Sequence, residues 1–336
     1  HGSNSRHGGA LLELHTGSDT FVRPSMGSWI GYGLGTENQD LPAYVTMCPT
    51  LTHGGVNAYS SAFLPAVYHG TPLGNASIPA DKINIPYIKP AGDQSARLQR
   101  LELDFVQRLN REQLSQKEAA TNLESRINTL ELAYRMQMEA TDALDISKET
   151  KETLDLYKAD TVHGRQLLIA RRLIERGVRV VQCYHGDVQP WDSHGSIATA
   201  HRDLGQQADG PISALLSDLE RSGLLSETLI ICGGEFGRTP AVEIPLGSSA
   251  PPTGRDHNHH GFTIWMAGAG IKGGMAYGST DEFGYRAVEK RTHVHDLHAT
   301  MLHLLGFDHE RLTYRHAGRD FRLTDVHGHV VKEILA

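Results

Sequence analysis

The sequence predicts an α/β fold with a mainly parallel sheet flanked by helices, plus a long helical insertion. Two patterns predict it. From Gly164 onward the chain alternates helix, glycine and short apolar run: Gln166–Arg176 and Gly177 precede Val178–Val181, and Pro211–Arg221 and Gly223 precede Thr228–Cys232. A third apolar run follows at Phe262–Ala267, and a helix is expected at about His295–Leu305. Continuous apolar runs entered from helices are the pattern of parallel strands buried on both faces. The second pattern lies between Asp93 and His163, where there is neither glycine nor proline. There Leu98, Leu101, Phe105 and Leu109, then Leu123, Ile127, Leu130, Tyr134 and Met138, recur at helical spacing. That spacing predicts two long amphipathic helices, without a sustained heptad.

The elements ahead of that insertion are short. Residues 1–92 are rich in glycine and proline, as in Gly31-Tyr32-Gly33-Leu34-Gly35 and Ile83-Asn84-Ile85-Pro86-Tyr87, and read as loops with brief helices and strands. Ala10-Leu11-Leu12, before His15-Thr16-Gly17, reads as a short helix ending at its glycine. These first residues already resemble the inside of a domain. The expected organisation is therefore one α/β domain over 1–336, lacking an N-terminal segment, with the helical insertion at 93–163.

Composition narrows the function classes. At 39% hydrophobic and 21% charged residues the chain reads as an ordinary globular protein, and a net charge of −7 gives no reason to expect nucleic acid. Its apolar runs are strand-sized and too short for a transmembrane segment. Cys48, Cys183 and Cys232 show no metal-binding or disulfide spacing, and the last two fall in strands expected to be buried. Histidine is the unusual feature, with 20 copies. It is also the commonest metal ligand.

The histidines and acids gather around the expected strands. His185-Gly186-Asp187 and Trp191-Asp192-Ser193-His194-Gly195 follow the first strand of the regular region, and Gly233-Gly234-Glu235-Phe236-Gly237-Arg238-Thr239-Pro240 follows the second. Gly254-Arg255-Asp256-His257 precedes the third. In open α/β sheets chemistry sits at the carboxyl ends of strands. Asp192, His194, Glu235, Asp256 and His257 are therefore candidate metal ligands, and the mixed nitrogen and carboxylate set suits Zn²⁺ or Mn²⁺ over Ca²⁺. Arg238 and Arg255 are candidates for holding an anionic oxygen. His293, His295 and His298, at the start of an apolar helix, read as structural.

The order of these motifs resembles the alkaline-phosphatase superfamily and, within it, a sulfatase-like bacterial family whose domain is of unknown function. The resemblance rests on His7–Gly17, Trp191–Gly195, Gly234–Pro240, Gly254–His257 and His295–Gly306, spread over nearly the whole chain. It implies that Asp192, His194 and His257 hold one ion and that Glu235 holds another. Phe236 stands where a histidine is usual. The nucleophile of such enzymes would fall near His7, with Asn4 close by and Arg238 assisting, and an aspartate on a preceding strand would lie before His1. The resemblance also implies an exported, periplasmic protein.

The resulting expectation is a metal-dependent hydrolase of an anionic small-molecule or glycan ester of sulfate or phosphate. Its nucleophile would be a metal-activated water or a residue near His7. Two other classes stay open: a catalytically silent protein that binds an anionic ligand or glycan, and a metal-stabilised structural module that docks a partner through the 93–163 helices.

Overall fold

A computed structural model describes residues 1–75, 77, 82–83, 95–115, 127–128, 130–132, 134–135, 140, 142–186, 188–244 and 253–336. Helix α1 (His7–Thr16) stops at Gly17, which adopts φ 70°. A Cβ there would also meet the Leu323 carbonyl at 2.2 Å, so only glycine fits. Helix α2 (Met26–Leu34) starts at Ser25, whose hydroxyl accepts from the Ser28 N–H.

The parallel sheet has three strands, β1 (Tyr44–Met47), β2 (Thr71–Leu73) and β3 (Val180–Cys183), in the order β2-β1-β3. The central strand was hidden in the loop-rich first zone. Every residue of β1 is buried. Helix α3 spans Ala96–Ser115, and α4 (Lys151–Leu156) and α5 (Val162–Glu175) lead into β3. Leu167, Leu168, Ile169 and Leu173 of α5 join Val45 and Met47 in the main core. Buried Arg172 donates to the Ala143 and Asp142 carbonyls and pairs with Glu149, which ties the end of the insertion to α5.

Beyond β3, α6 (Ile197–Arg221) packs on α5 and leads to β4 (Ile230–Cys232). The chain then makes two short strands, β5 (Gly237–Arg238) and β6 (His257–Asn258), before β7 (Trp265–Ala267). A hairpin (Ser279–Thr280 with Ala287–Glu289) leads to helix α7 (Val294–Leu304), capped reciprocally by His293 and Asp296, and a second hairpin (Tyr314–His316 with Arg319–Phe321) follows it. His295 and His298 of α7 contact the carbonyls of Gly17 and Leu14 at 2.9 and 2.8 Å, docking α7 onto α1. Both rings thereby join the start of α7 to the end of α1.

Four expectations need correction. The protein is mixed α/β, but its parallel sheet is small: β7 runs antiparallel to β4 in a separate two-stranded ladder. A parallel return needs a crossover, usually a helix, and the described residues between β4 and β7 contain none. Second, Cys183 and Cys232 are half-buried, because the outer edges of β3 and β4 carry no ladder partner among the described residues. Third, α6 begins well before Pro211, which the helix carries in its interior. Fourth, the apolar face of α3 points outward, with Leu101 and Phe105 56% and 63% exposed, while Gln107 is buried and donates to the Ile127 carbonyl at 2.8 Å. Leu123, Met138, Asp187 and the run from Asn84 to Tyr87 lie outside the described residues.

A candidate metal centre

Four segments bring the site together. His7 opens α1, and Asp192 and His194 occupy the loop between β3 and α6. Glu235 lies between β4 and β5, and His257 starts β6. The antiparallel β5–β6 ladder pairs Arg238 directly with His257. Gly254 explains how the loops approach one another. A Cβ at Gly254 would lie 2.0 Å from the His194 carbonyl carbon, so glycine lets the 253–256 segment rest against the 192–196 loop. The Arg255 N–H donates to the Ser193 carbonyl, and the Ile197 N–H to the Thr253 carbonyl, which pins the two segments together.

Asp192 is the hub. Its Oδ2 lies 3.1 Å from His7 Nε2, and its Oδ1 lies 2.8 Å from His194 Nε2 and 3.1 Å from His257 Nε2. The other nitrogen of each ring faces outward to an oxygen that can only accept. His7 Nδ1 meets Glu235 Oε1 at 2.6 Å, His257 Nδ1 meets the Ser5 carbonyl at 2.6 Å, and His194 Nδ1 meets Glu243 Oε2 at 2.5 Å. All three Nδ1 atoms must therefore carry the proton, which assigns the tautomer. A neutral ring then turns an Nε2 lone pair toward a carboxylate that is itself an acceptor.

Protonated rings could donate from Nε2 to Asp192, but charging all three crowds cationic rings together. His194 Nε2 and His257 Nε2 sit 3.2 Å apart, so at most one of them can hold a proton toward the other. His7 Nε2 is buried and has no hydrogen-bond partner, because its approach to Asp192 lacks hydrogen-bond geometry. A divalent cation among His7, Asp192 and His257 would give the facing lone pairs of these three a common partner. His7, Asp192 and His257 offer ligand atoms within 4.8 Å of one another. The donor set thus fits a metal such as Zn²⁺ or Mn²⁺.

The electrostatics reflect the close pairing of acids and bases in the cluster. Burial pushes the Asp192 carboxyl up, but the Arg238 guanidinium, 2.6 Å from Oδ1, and the neighbouring His257 and His7 bring it down to about 2. Burial works against a charge on His7, yet the hydrogen bond and charge of Glu235, together with Asp192, raise its pKa. Burial would raise Glu235 as well, and its bond to His7 outweighs that and lowers it. Phe236 stacks on the His257 ring with centroids 4.4 Å apart and tilts against His7 at 4.8 Å, walling one side of the cluster.

The structure therefore gathers His7, Asp192, His194, His257, Glu235 and Arg238 into one cluster. Glu235 meets Asp192 only through His7. Arg238 pairs with Asp192 and donates to the Arg255 carbonyl. Asp256 falls with His194 and Glu243 in an adjoining group. Arg255 contributes backbone contacts, and its guanidinium donates to the Gly254 carbonyl. Asn4 stands apart, its amide held by Asp19 and the Arg6 N–H. Sequence reasoning missed Glu243, which has no motif around it, and the Ser5 carbonyl, which no side-chain pattern could reveal.

Fold and site together define a mixed α/β protein with a carboxylate ringed by three imidazoles. The chain belongs to the family described as "Protein of unknown function (DUF1501)", whose model matches residues 1–335. That match corrects the resemblance to alkaline phosphatases and sulfatases, since it shows this family alone. The motif strings reflect loops that converge on a site, and converging loops of that kind do not by themselves fix the fold family. No curated protein and no solved structure matched the chain. Among the described residues no helix is long and apolar enough to cross a membrane.

Proposed function

We propose that the protein is a metal-dependent hydrolase of phosphate or sulfate esters, with the cation held by Asp192 and by Nε2 of His7, His194 and His257. The observation that carries this reading is the convergence of three Nε2 atoms on one carboxylate while every Nδ1 is tied to an outer acceptor. Outer acceptors of this kind fix ring orientation and tautomer in metal-binding histidines. Glu235 and Glu243 are thus positioning residues for His7 and His194.

When bound, the metal supplies Lewis acidity and a lowered pKa for water. The chain's own groups do the rest. Arg238 lies across Asp192 and the Arg255 carbonyl, and Arg255 has no acidic partner among the described residues, so its guanidinium is available to an anionic oxygen. Phe236 keeps water from one side of the histidine pair.

A second reading, a catalytically silent protein binding an anionic ligand or glycan, is favoured by Ser5. This hydroxyl residue, two positions from His7, enters the cluster through its carbonyl and not its Oγ. Zinc titration followed by assays on p-nitrophenyl phosphate and p-nitrophenyl sulfate decides between the two. Turnover that needs zinc and disappears in His257→Ala supports the hydrolase. Zinc binding without turnover, with anion binding retained, supports the second reading. Absence of zinc binding removes the metal from both.

A further inference from the structure

We propose that His53 is a substrate-positioning residue whose Nδ1–H binds an anionic oxygen of the phosphate or sulfate group at the metal centre. This rests on the hydrolase reading above. Ligands of open α/β sheets sit beyond the carboxyl ends of the strands, and β1 is the central strand of the parallel sheet. The inner donors come from α1, the loop after β3 and β6. The loop after β1 reaches the same place through His53, whose ring centroid lies 5.2 Å from that of His7.

This ring is fixed from two sides. His53 has φ 48°, a region few residues other than glycine occupy, and Gly54 and Gly55 continue the turn at φ 103° and 48°. The turn rests on α1: a Cβ on Gly54 would lie 3.3 Å from the Leu12 side chain, and one on Gly8 would lie 3.9 Å from His53 Cα. On the other side Gln189, from the loop that carries Asp192, places its side-chain amide nitrogen against His53 Nε2. An amide nitrogen can only donate, so Nε2 accepts and the neutral ring carries its proton on Nδ1.

That arrangement reverses the one in the three inner histidines. Their Nδ1 atoms donate outward and leave Nε2 lone pairs for a cation. In His53 the lone pair is already taken, and among the described residues the Nδ1–H has no acceptor. A ring in this state is a hydrogen-bond donor and not a metal ligand. Anionic oxygens of phosphate and sulfate accept hydrogen bonds, so they match it.

The test is calorimetric titration of the zinc-loaded full chain with inorganic phosphate and, separately, with sulfate, zinc affinity being measured on its own. His53→Leu should weaken binding of the tighter anion about tenfold or more, the usual contribution of a hydrogen bond to a charged group, with zinc affinity unchanged. His53→Asn should stay within about threefold of wild type, because asparagine keeps an N–H near the place of Nδ1 and tolerates the left-handed backbone. Unchanged anion affinity in His53→Leu overturns the assignment and leaves the metal centre standing. Lost zinc affinity in that variant also overturns it, since His53 would then be a ligand. An equal loss of anion affinity in His53→Asn overturns it as well, because packing and not donation would be at work. Wild type that binds zinc but neither anion overturns His53 together with the anion-binding part of the hydrolase reading, and wild type that binds no zinc overturns the metal centre and His53 with it.

Discussion

Replacing Glu235 by glutamine isolates the contribution of an outer acceptor to the metal centre. Glu235 accepts from His7 Nδ1 at 2.6 Å and does not itself touch Asp192, so the substitution leaves all four inner donors in place. Glutamine still offers a carbonyl oxygen to the ring, but the negative charge that strengthens the bond and raises the basicity of Nε2 is lost. Outer partners of ligating histidines typically contribute tenfold to hundredfold in metal affinity. That range corresponds to about 1.4–2.8 kcal/mol. Zinc affinity by titration calorimetry should fall within it, while the thermal midpoint of the metal-free variant stays close to wild type. Unchanged affinity would refute the positioning role. A loss far beyond hundredfold, approaching that of His257→Ala, would return Glu235 to the role of direct ligand suggested by its sequence context.

Three further outcomes follow from burial. His298 is fully buried, and burial pushes its pKa from the usual 6.5 to about 3. Above pH 6.5 the ring is neutral in folded and unfolded chains alike. As pH falls toward 3 the unfolded chain takes up a proton that the folded one refuses, so stability declines by up to about 1.4 kcal/mol per pH unit. Denaturant midpoints should fall more steeply between pH 6.5 and 4 in wild type than in His298→Gln; parallel slopes would reject the assignment. Phe105→Ser on the exposed face of α3 should change stability by less than about 0.5 kcal/mol in urea melts. By contrast Leu168→Ala, at a position with no exposure in the main core, should cost about 2–5 kcal/mol in the same assay.

How much of this was legible depended on whether the signal was local. The helix ending at Gly17 and the strands after Gly177 and Gly223 were readable because the termini carry their own glycine at positive φ. Strand β1 was not, because a short buried strand between glycine-rich turns has neither the length nor the periodicity to stand out. The orientation of β7 was misread for a related reason. An apolar run reports burial but not the direction of its partner, and direction here follows from a connection without a helix. Likewise the spacing in α3 identifies a helix face without saying whether anything covers it.

The candidate site shows the same division between local and non-local information. Asp192, His194 and His257 were legible as loop residues near the strands, and so was His7, although under a different role. What sequence could not show is which nitrogen of each ring faces inward, and the case for a cation rests on that. The inward direction is set at a distance: by Glu235 after β4, by Glu243 beyond β5 and by a backbone carbonyl ahead of α1. Gly254 supplies the link between the two levels. In the sequence it is one glycine in Gly-Arg-Asp-His. In the fold it is the position whose missing side chain lets the 192–196 loop and the β6 strand meet. The inner donors come from segments far apart in the chain, and His7 at the start of α1 meets His257 at the start of β6 with ring centroids 4.5 Å apart. Metal binding is therefore expected to report on assembly of that whole corner of the molecule as well as on its chemistry.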